Sequence, residues 1–420
     1  MRVTNCRACD GRDLHPFLDL GETALANSYL LPAQLGEPEP KFPLRVVLCP
    51  GCGLVQIDEE VPPGVLFKHY LYVSATSDLI HAHARFLADH FARVGPLRPG
   101  DLVLEAASND GTVLKAFQSR GVRAVGIEPA ENIAARANAD GVETVCEFFG
   151  AATARAVRDR YGRAKLILAR HVLAHVADLR GFVEGLWAVL DHDGLAVVEC
   201  PHLLPFHDRL EYDTVYHEHL CYFSLGVLER LFARHGLELV DVQQVAIHGG
   251  SVVISAQRAG GPRRRGARVD EVLAAERAAG LHRPDVWDAF ARRVADSREA
   301  LRAEVARLKA AGKRLAGYGA PAKGMTLLAY CGLGGELPYV VDKSPHKQGR
   351  LTPGHHVPIR PPEHLLADQP DVVLLLAWNF AEEVARQQAE YLRRGGRFLL
   401  PLPGPHYWGD APHRPSRAAA

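Results

Sequence analysis

The stretch LVLEAASNDGTVLKAF, residues 102–117, decides the fold. Its opening, Leu102–Ala106, is apolar apart from Glu105 and reads as a buried strand, and from Gly111 to Arg120 the spacing turns helical. Between the two lie Ser108, Asn109, Asp110 and Gly111, all small. A strand that enters a helix through small residues leaves free backbone N–H groups at the helix start, where a ligand can come close. The next strand, in VGIEPAENI (125–133), ends on Glu128 followed by Pro129. An acidic residue about 20 positions after the first turn is where Rossmann-like folds hold a ribose diol. The turn has no G-x-G-x-x-G pattern, which argues against a dinucleotide and for S-adenosylmethionine (SAM), a cofactor with no pyrophosphate to cradle. Glu105, Ser108, Asn109, Asp110, Gly111, Glu128 and Pro129 are therefore the candidate cofactor contacts.

Strand and helix signals alternate outward from this point. Ala124–Ile127, Leu166–Ala169 and Ala196–Glu199 read as strands; Ile133–Ala139 and Phe182–Leu190 read as helices. That order predicts a doubly wound parallel sheet, with ILARHVLAHVADL (167–179) beside the cofactor. A polar helix is expected from Ser77 to Arg93. The arginine- and glycine-rich run Gly260–Arg268 marks a surface excursion or domain boundary, followed by a long helix carrying Val286, Phe290, Val294, Leu301, Val305 and Leu308. A second α/β unit is then predicted, with strands at Arg314–Gly317, Tyr339–Val341, Val372–Leu376 and Arg397–Pro401. The expected fold class is α/β in three parts: an N-terminal zinc-binding unit (1–75), a Rossmann-like SAM methyltransferase domain (76–258), and a helical linker with a second Rossmann-like domain (259–420).

The zinc expectation rests on Cys6-x2-Cys9 and Cys49-x2-Cys52. Each pair sets two thiolates on one tight turn, and two such turns complete a tetrahedron. Four thiolates leave zinc no open position, so a structural Zn2+ is expected. The 39 residues between the knuckles have to loop out as an insertion. Bulk properties narrow the partners. Lysine plus arginine equals aspartate plus glutamate, 49 each, which gives no support to a nucleic-acid or membrane-surface partner. No apolar run reaches the roughly 18 residues of a membrane span, and the N-terminus has no signal core, so a cytoplasmic location is expected.

The densest chemistry lies in LEYDTVYHEHLCYFS (210–224), just beyond a strand ending VECP (198–201). Tyr212, Tyr216, His217, Glu218, His219 and Tyr222 crowd into eleven residues. Methylating carbon requires a carbanion equivalent, which a carbon next to a ketone supplies when a base removes its proton. Histidine suits the base role near neutral pH, a tyrosine hydroxyl can donate to the enolate oxygen, and a glutamate can orient the histidine.

At this point the motifs are recognisable together. The paired CxxC unit, SNDGT (108–112), GIEP (126–129), AHVADL (174–179), YHEHLCYFS (216–224), HGGS (248–251), GYGAPAKG (317–324), VDKSPHKQGR (341–350) and WNFAEE (378–383) span the whole chain. The chain resembles the deoxysugar C-methyltransferases of antibiotic biosynthesis, which act on nucleoside-diphosphate 4-keto-6-deoxy sugars. The resemblance implies that His219 is the base, with Tyr216 and Glu218 beside it, and that a tyrosine of YLYVSATS, Tyr72 or its neighbour Tyr70, belongs to the site. It implies a nucleotide-sugar substrate, TDP-linked, held by the C-terminal domain with Gly317, Tyr318, Gly319 and Lys323 near the diphosphate, and Tyr222, His248, Asp342 and Lys343 among the substrate contacts. Methylation is expected at C3 or C5. The family commonly carries Ile-Gly or Ile-Ala where this chain has Ala106-Ala107, and asparagine where it has His171. Two other classes share part of this pattern: an O- or N-methyltransferase with the same cofactor turn, and a zinc-ribbon binding protein.

Overall fold

The structure, a computed structural model, describes residues 1–62, 66, 78–95 and 97–410. Three sheets organise it. The first is built from a long hairpin, β1 (His15–Ala24) and β2 (Lys41–Leu48), which is the insertion between the cysteine knuckles. It continues through β3 (Val55–Ile57) and is completed antiparallel by Cys221–Tyr222, so its fourth strand comes from far outside the first 75 residues.

Helix α1 (Asp78–Val94) leads into the second sheet. Its parallel strands are β4 (Leu102–Ala106), β5 (Arg123–Ile127), β6 (Glu143–Val145), β7 (Ala164–Arg170) and β8 (Leu190–Pro201). The helices between them are α2 (Thr112–Gln118), α3 (Glu131–Ala139), α4 (Ala151–Tyr161) and α5 (Leu179–Val189). The strand order is β6-β5-β4-β7-β8, extended by two antiparallel strands introduced below. The chain leaves β4 first to one side and then to the other, so β4 and β7 flank a switch point, where open α/β sheets bind ligands. The predicted helix at Phe182–Leu190 begins three residues earlier, because Asp178 caps it by accepting the Gly181 N–H at 2.9 Å. Leu190 is not helical but opens β8. Beyond β8, Cys221–Tyr222 (β9) joins the first sheet; α6 (Leu225–Arg234), β10 (Leu237–Val245) and β11 (Ser251–Arg258) follow.

Helix α7 (Ala267–Ala279) packs on this second unit. Its buried Glu276 accepts the N–H groups of Leu225 (2.6 Å) and Gly226 (3.0 Å) at the start of α6, where a carboxylate suits the helix dipole. Helix α8 (Pro284–Ala310) has the predicted long apolar stripe and crosses the molecule. Its Trp287 and Phe290, both fully buried, pack on Phe17 of β1 (4.9 Å between Phe17 and Trp287 rings) and on Phe206 (5.2 Å from Phe290). The third sheet is β12 (Leu315–Tyr318), β13 (Val340–Val341), β14 (Ile359–Arg360), β15 (Val372–Leu375), β16 (Arg397–Leu400) and β17 (His406–Tyr407), with α9 (Ala322–Cys331) after β12. Its order, β14-β13-β12-β15-β16-β17, is parallel except at β17 and again has a switch point, between β12 and β15.

Trp287 seals the contact between the first sheet, the segment after β8 and α8. Its replacement by alanine is expected to destabilise the protein by about 3–5 kcal/mol. Equilibrium urea unfolding followed by circular dichroism measures this, and a loss under about 1 kcal/mol would contradict the packing described.

Candidate active site

Cys6 and Cys52 bring their sulfurs to 3.4 Å, Cys9 and Cys49 to 3.6 Å, and all four lie within 4.8 Å of one another. A tetrahedron of Zn–S bonds has edges of about 3.8 Å, so the four thiolates fit one zinc ion. The knuckles are built alike. In each, the backbone four residues after the first cysteine bonds back to that cysteine's carbonyl: Asp10 to Cys6 at 2.8 Å, Gly53 to Cys49 at 2.6 Å. Both turn residues sit at positive φ, 61° and 80°, which explains the glycine after Cys52.

The turn after β4 is unusual in backbone terms. Ala107, Asn109 and Gly111 all have positive φ (54°, 49° and 75°), which winds the chain tightly between β4 and α2. Gly126 makes room for it: a Cβ there would lie 2.3 Å from the Ser108 hydroxyl. Asp110 accepts from the Thr112 hydroxyl at 2.7 Å and steadies the start of α2. Glu128 accepts from the Asn109 N–H (2.9 Å) and the Ala130 N–H (3.0 Å), which ties the two strand ends together; burial raises its pKa against the pull of those two N–H groups. The carbonyl of Pro129 accepts from the thiol of Cys146, the residue after β6, at 3.8 Å. Glu105 is fully buried, pushed up to about 7 by desolvation against the opposing charge of Arg170. One of its oxygens accepts from Arg170 Nε at 2.9 Å, and the other has no hydrogen bond among the described residues. An orphaned carboxylate oxygen suits the cationic amino group of SAM, so the turn fits that cofactor.

The segment 212–222 is drawn to the carboxyl end of β7, where the Leu220 N–H bonds the Ala174 carbonyl at 2.7 Å. His219 is half-buried. Its Nδ1 lies 2.9 Å from the Thr214 carbonyl and its Nε2 lies 2.7 Å from the Tyr216 hydroxyl. A carbonyl only accepts, so Nδ1 carries a hydrogen; in the neutral ring Nε2 then presents a lone pair, to which Tyr216 can donate. The expectation of a glutamate orienting this histidine is corrected: the Thr214 carbonyl meets Nδ1, and Glu218 instead accepts from Asn27 of the first sheet's hairpin at 2.7 Å. Burial pushes Glu218 up to about 7. His175, missed in the sequence although it stands in AHVADL, has its ring 4.9 Å from His219, and burial with the nearby His171 pushes it down to about 4. His217 is buried against Pro43 of β2, Nε2 3.1 Å from its carbonyl, and Tyr212 is buried in the contact with α9, its hydroxyl 3.5 Å from Cys331 Sγ; both pack rather than react. Tyr222 is buried beside Phe206, with its hydroxyl 3.5 Å from the Thr214 carbonyl. Tyr72 and Tyr70 lie outside the described residues.

The third sheet's switch point gathers only part of the expected substrate set. Gly317 and Gly319 allow close approach, since a Cβ at Gly319 (φ 85°) would lie 2.7 Å from that of Ala377 and one at Gly317 would lie 2.9 Å from Val340. Tyr318 is buried, where strand alternation turns its side chain into the core against Phe398. Asp342, at the end of β13, accepts from the Ala320 N–H (2.7 Å) and the Ser344 N–H (2.8 Å). Lys343 is largely exposed and pairs with Glu383 at 3.0 Å, outside the crevice. Lys323 sits over the Trp378 ring at 3.9 Å and feels Asp213 and Glu211, two acids absent from the expectation. The backbone of His248 lies in the turn Ile247–Gly249, beside Glu211.

Comparison with known proteins bears on this arrangement. The chain matches a zinc binding domain model over residues 6–67, a methyltransferase domain model over 79–242 and a C-methyltransferase C-terminal domain model over 246–403. It is 40% identical to the C-methyltransferase NovU of Streptomyces niveus over 404 residues, 96% of each chain. Among solved structures it is similar to the magnesium protoporphyrin IX methyltransferase of Synechocystis PCC 6803 with bound SAM (12% identity, 43% of this chain and 79% of that one, TM-score 0.34). A geranyl diphosphate methyltransferase in complex with SAM is also similar (17% identity, 43% and 86%, TM-score 0.34).

Alanine at Gly126 would force Ser108 and the turn outward. The expected outcome is a SAM dissociation constant raised by at least about tenfold, with the four-cysteine domain still loaded with metal. Isothermal titration with SAM measures it, and unchanged affinity would contradict the role given to this turn.

Proposed function

The chain belongs to the SAM-dependent C-methyltransferases with a zinc-binding domain, and on that premise we propose that it methylates a carbon adjacent to the ketone of a TDP-4-keto-6-deoxy sugar. C3 is favoured over C5, and the setting is cytoplasmic deoxysugar assembly for an antibiotic. The observation that carries the reading is the placement of His219: Nδ1 donates to the Thr214 carbonyl, and Nε2 lies 2.7 Å from the Tyr216 hydroxyl, where a neutral ring presents its basic lone pair. The motif set shared with sugar C-methyltransferases and the ligand crevice of a second parallel sheet support the choice of acceptor.

SAM supplies an electrophilic methyl group when bound at the β4 turn, with Glu105 and Glu128 as its carboxylate contacts. His219 Nε2 takes the proton from the carbon beside the ketone. Once protonated, Nε2 donates to the Tyr216 oxygen, and the tyrosine hydrogen is released to a second acceptor. The enolate oxygen is that acceptor, so removal of the proton and stabilisation of the negative charge are linked through one hydrogen bond. His175 stays neutral at working pH because burial pushes it to about 4, so it adds no repulsion to the imidazolium formed 4.9 Å away. No helix among the described residues is long and apolar enough to cross a membrane.

Replacing His219 by alanine is expected to cut turnover by at least about a thousandfold while SAM affinity stays within about twofold. Tyr216→Phe is expected to lose less, about ten- to a hundredfold, because the base remains. Steady-state kinetics with calorimetric SAM binding checks both. Retained turnover in the His219 variant would remove it from the base role.

A further inference from the structure

Glu211 and Asp213 flank the start of the short turn Tyr212–Thr214, whose last carbonyl holds His219 Nδ1. Lys323 stands in the first turn of α9, just beyond β12, and Trp378 follows β15 across the same switch point. The four side chains therefore meet where the His219 segment faces the third sheet's ligand crevice. Their bonding is incomplete. Glu211 is only 4% exposed, yet among the described residues its carboxylate makes no hydrogen bond. Arg209 Nη1 is 4.0 Å from Oε1 and gives its hydrogen bond to the Gly249 carbonyl at 2.6 Å. Asp213 is fully buried; Oδ2 accepts from Trp378 Nε1 at 2.7 Å, while Oδ1 makes no well-formed hydrogen bond among the described residues. The Lys323 ammonium rests on the Trp378 ring and has no carboxylate within 4.0 Å among the described residues. Two acceptors and one donor thus lie together with hydrogen-bonding capacity unused, which is costly unless something polar joins them.

We propose that Glu211, Asp213 and Lys323 form the subsite for a hydrogen-bond-donating substituent, a hydroxyl or an amino group, on the ring of the sugar substrate. The inference rests on the nucleotide-sugar reading above. A hydroxyl donates to a carboxylate and accepts from the ammonium; an amino group donates to both carboxylates. A phosphate only accepts, and the two carboxylates repel it, so this geometry moves Lys323 away from the diphosphate role implied by its motif. The HGGS turn also finds a use here. A Cβ on Gly249 would lie 2.6 Å from Glu211 Oε2, so the glycine lets the turn close over the carboxylate and fix its direction. Burial and the neighbouring Asp213 push Glu211 up to about 7, with Lys323 and Arg209 opposing, and a donor seated against it favours the charged form.

The test is Glu211→Gln in the full-length enzyme, with TDP-4-keto-6-deoxyglucose and its 2-deoxy, 3-deoxy and 3-amino-3-deoxy analogues. The variant is expected to raise KM for the parent sugar about tenfold or more with kcat within about threefold, and to leave SAM and free TDP binding unchanged. Wild type is expected to lose about the same factor on removal of one substituent, and the variant to be indifferent to that same removal. Tighter use of the amino analogue by wild type names an amine as the donor, and a preference for the parent names a hydroxyl. Unchanged KM, an equal loss on every analogue, or weakened binding of TDP alone would overturn the subsite. If Glu211→Gln does not fold, as judged by zinc content and SAM binding, Lys323→Met is expected to show the same selective loss, and its failure to do so overturns the subsite as well. Wild type that binds no sugar nucleotide better than TDP would overturn the nucleotide-sugar reading itself rather than the subsite alone.

Discussion

The hydrogen bond from Asn27 to Glu218, 2.7 Å long, joins the cysteine-bearing domain to the segment that carries His219. Asn27 lies in the loop of the β1–β2 hairpin, which springs from between the two knuckles. The same loop reaches the third sheet: Tyr29 donates to the Ala320 carbonyl, and Leu30 pairs with Leu351. Strand β9, three residues beyond Glu218, adds itself to β3. The segment carrying His219 is therefore held by all three parts of the chain. A metal site with no open coordination position acts here through stiffness, since it anchors the hairpin whose far end sets one wall of the site.

That rigidity matters because the proposed chemistry depends on one tautomer. The Thr214 carbonyl and the Tyr216 hydroxyl occupy the two ring nitrogens of His219 from opposite sides. Rotation of the ring would lose both bonds, so the basic nitrogen keeps one direction without a carboxylate behind it. The buried carboxylates nearby hold elements in place instead: Glu218 grips the hairpin and Glu276 caps a helix. Glu105 keeps an oxygen without a hydrogen bond at the cofactor turn among the described residues.

What could be read from the residues follows from how local each contact is. The strand–turn–helix at 102–117 and the paired cysteines were legible because periodicity and spacing express them within a few residues. The strand Glu143–Val145 and helix Ala151–Tyr161 were not, the first being three residues long and the second burying only Ala154 and Val157. The His219 neighbourhood was half legible: Tyr216 is three residues away, but the carbonyl of Thr214 carries no side-chain signal. Asn27 could not be found at all, since 191 residues separate it from Glu218. The burial of Tyr318 was not legible because a glycine-rich motif says where the backbone turns and not which face of the strand a side chain takes. Glu211 and Asp213, the acids that act on Lys323, carry no such local signal, because they come from a different domain.

The most direct measurement is the mass and carbon-13 spectrum of the sugar nucleotide formed from purified enzyme, carbon-13-methyl SAM and TDP-4-keto-6-deoxyglucose. The account predicts a gain of one methylene mass, the labelled methyl coupled to a ring carbon next to the ketone, and loss of that carbon's proton. A labelled methyl bound to oxygen or nitrogen, or no product from any keto-sugar nucleotide despite SAM binding, would contradict it.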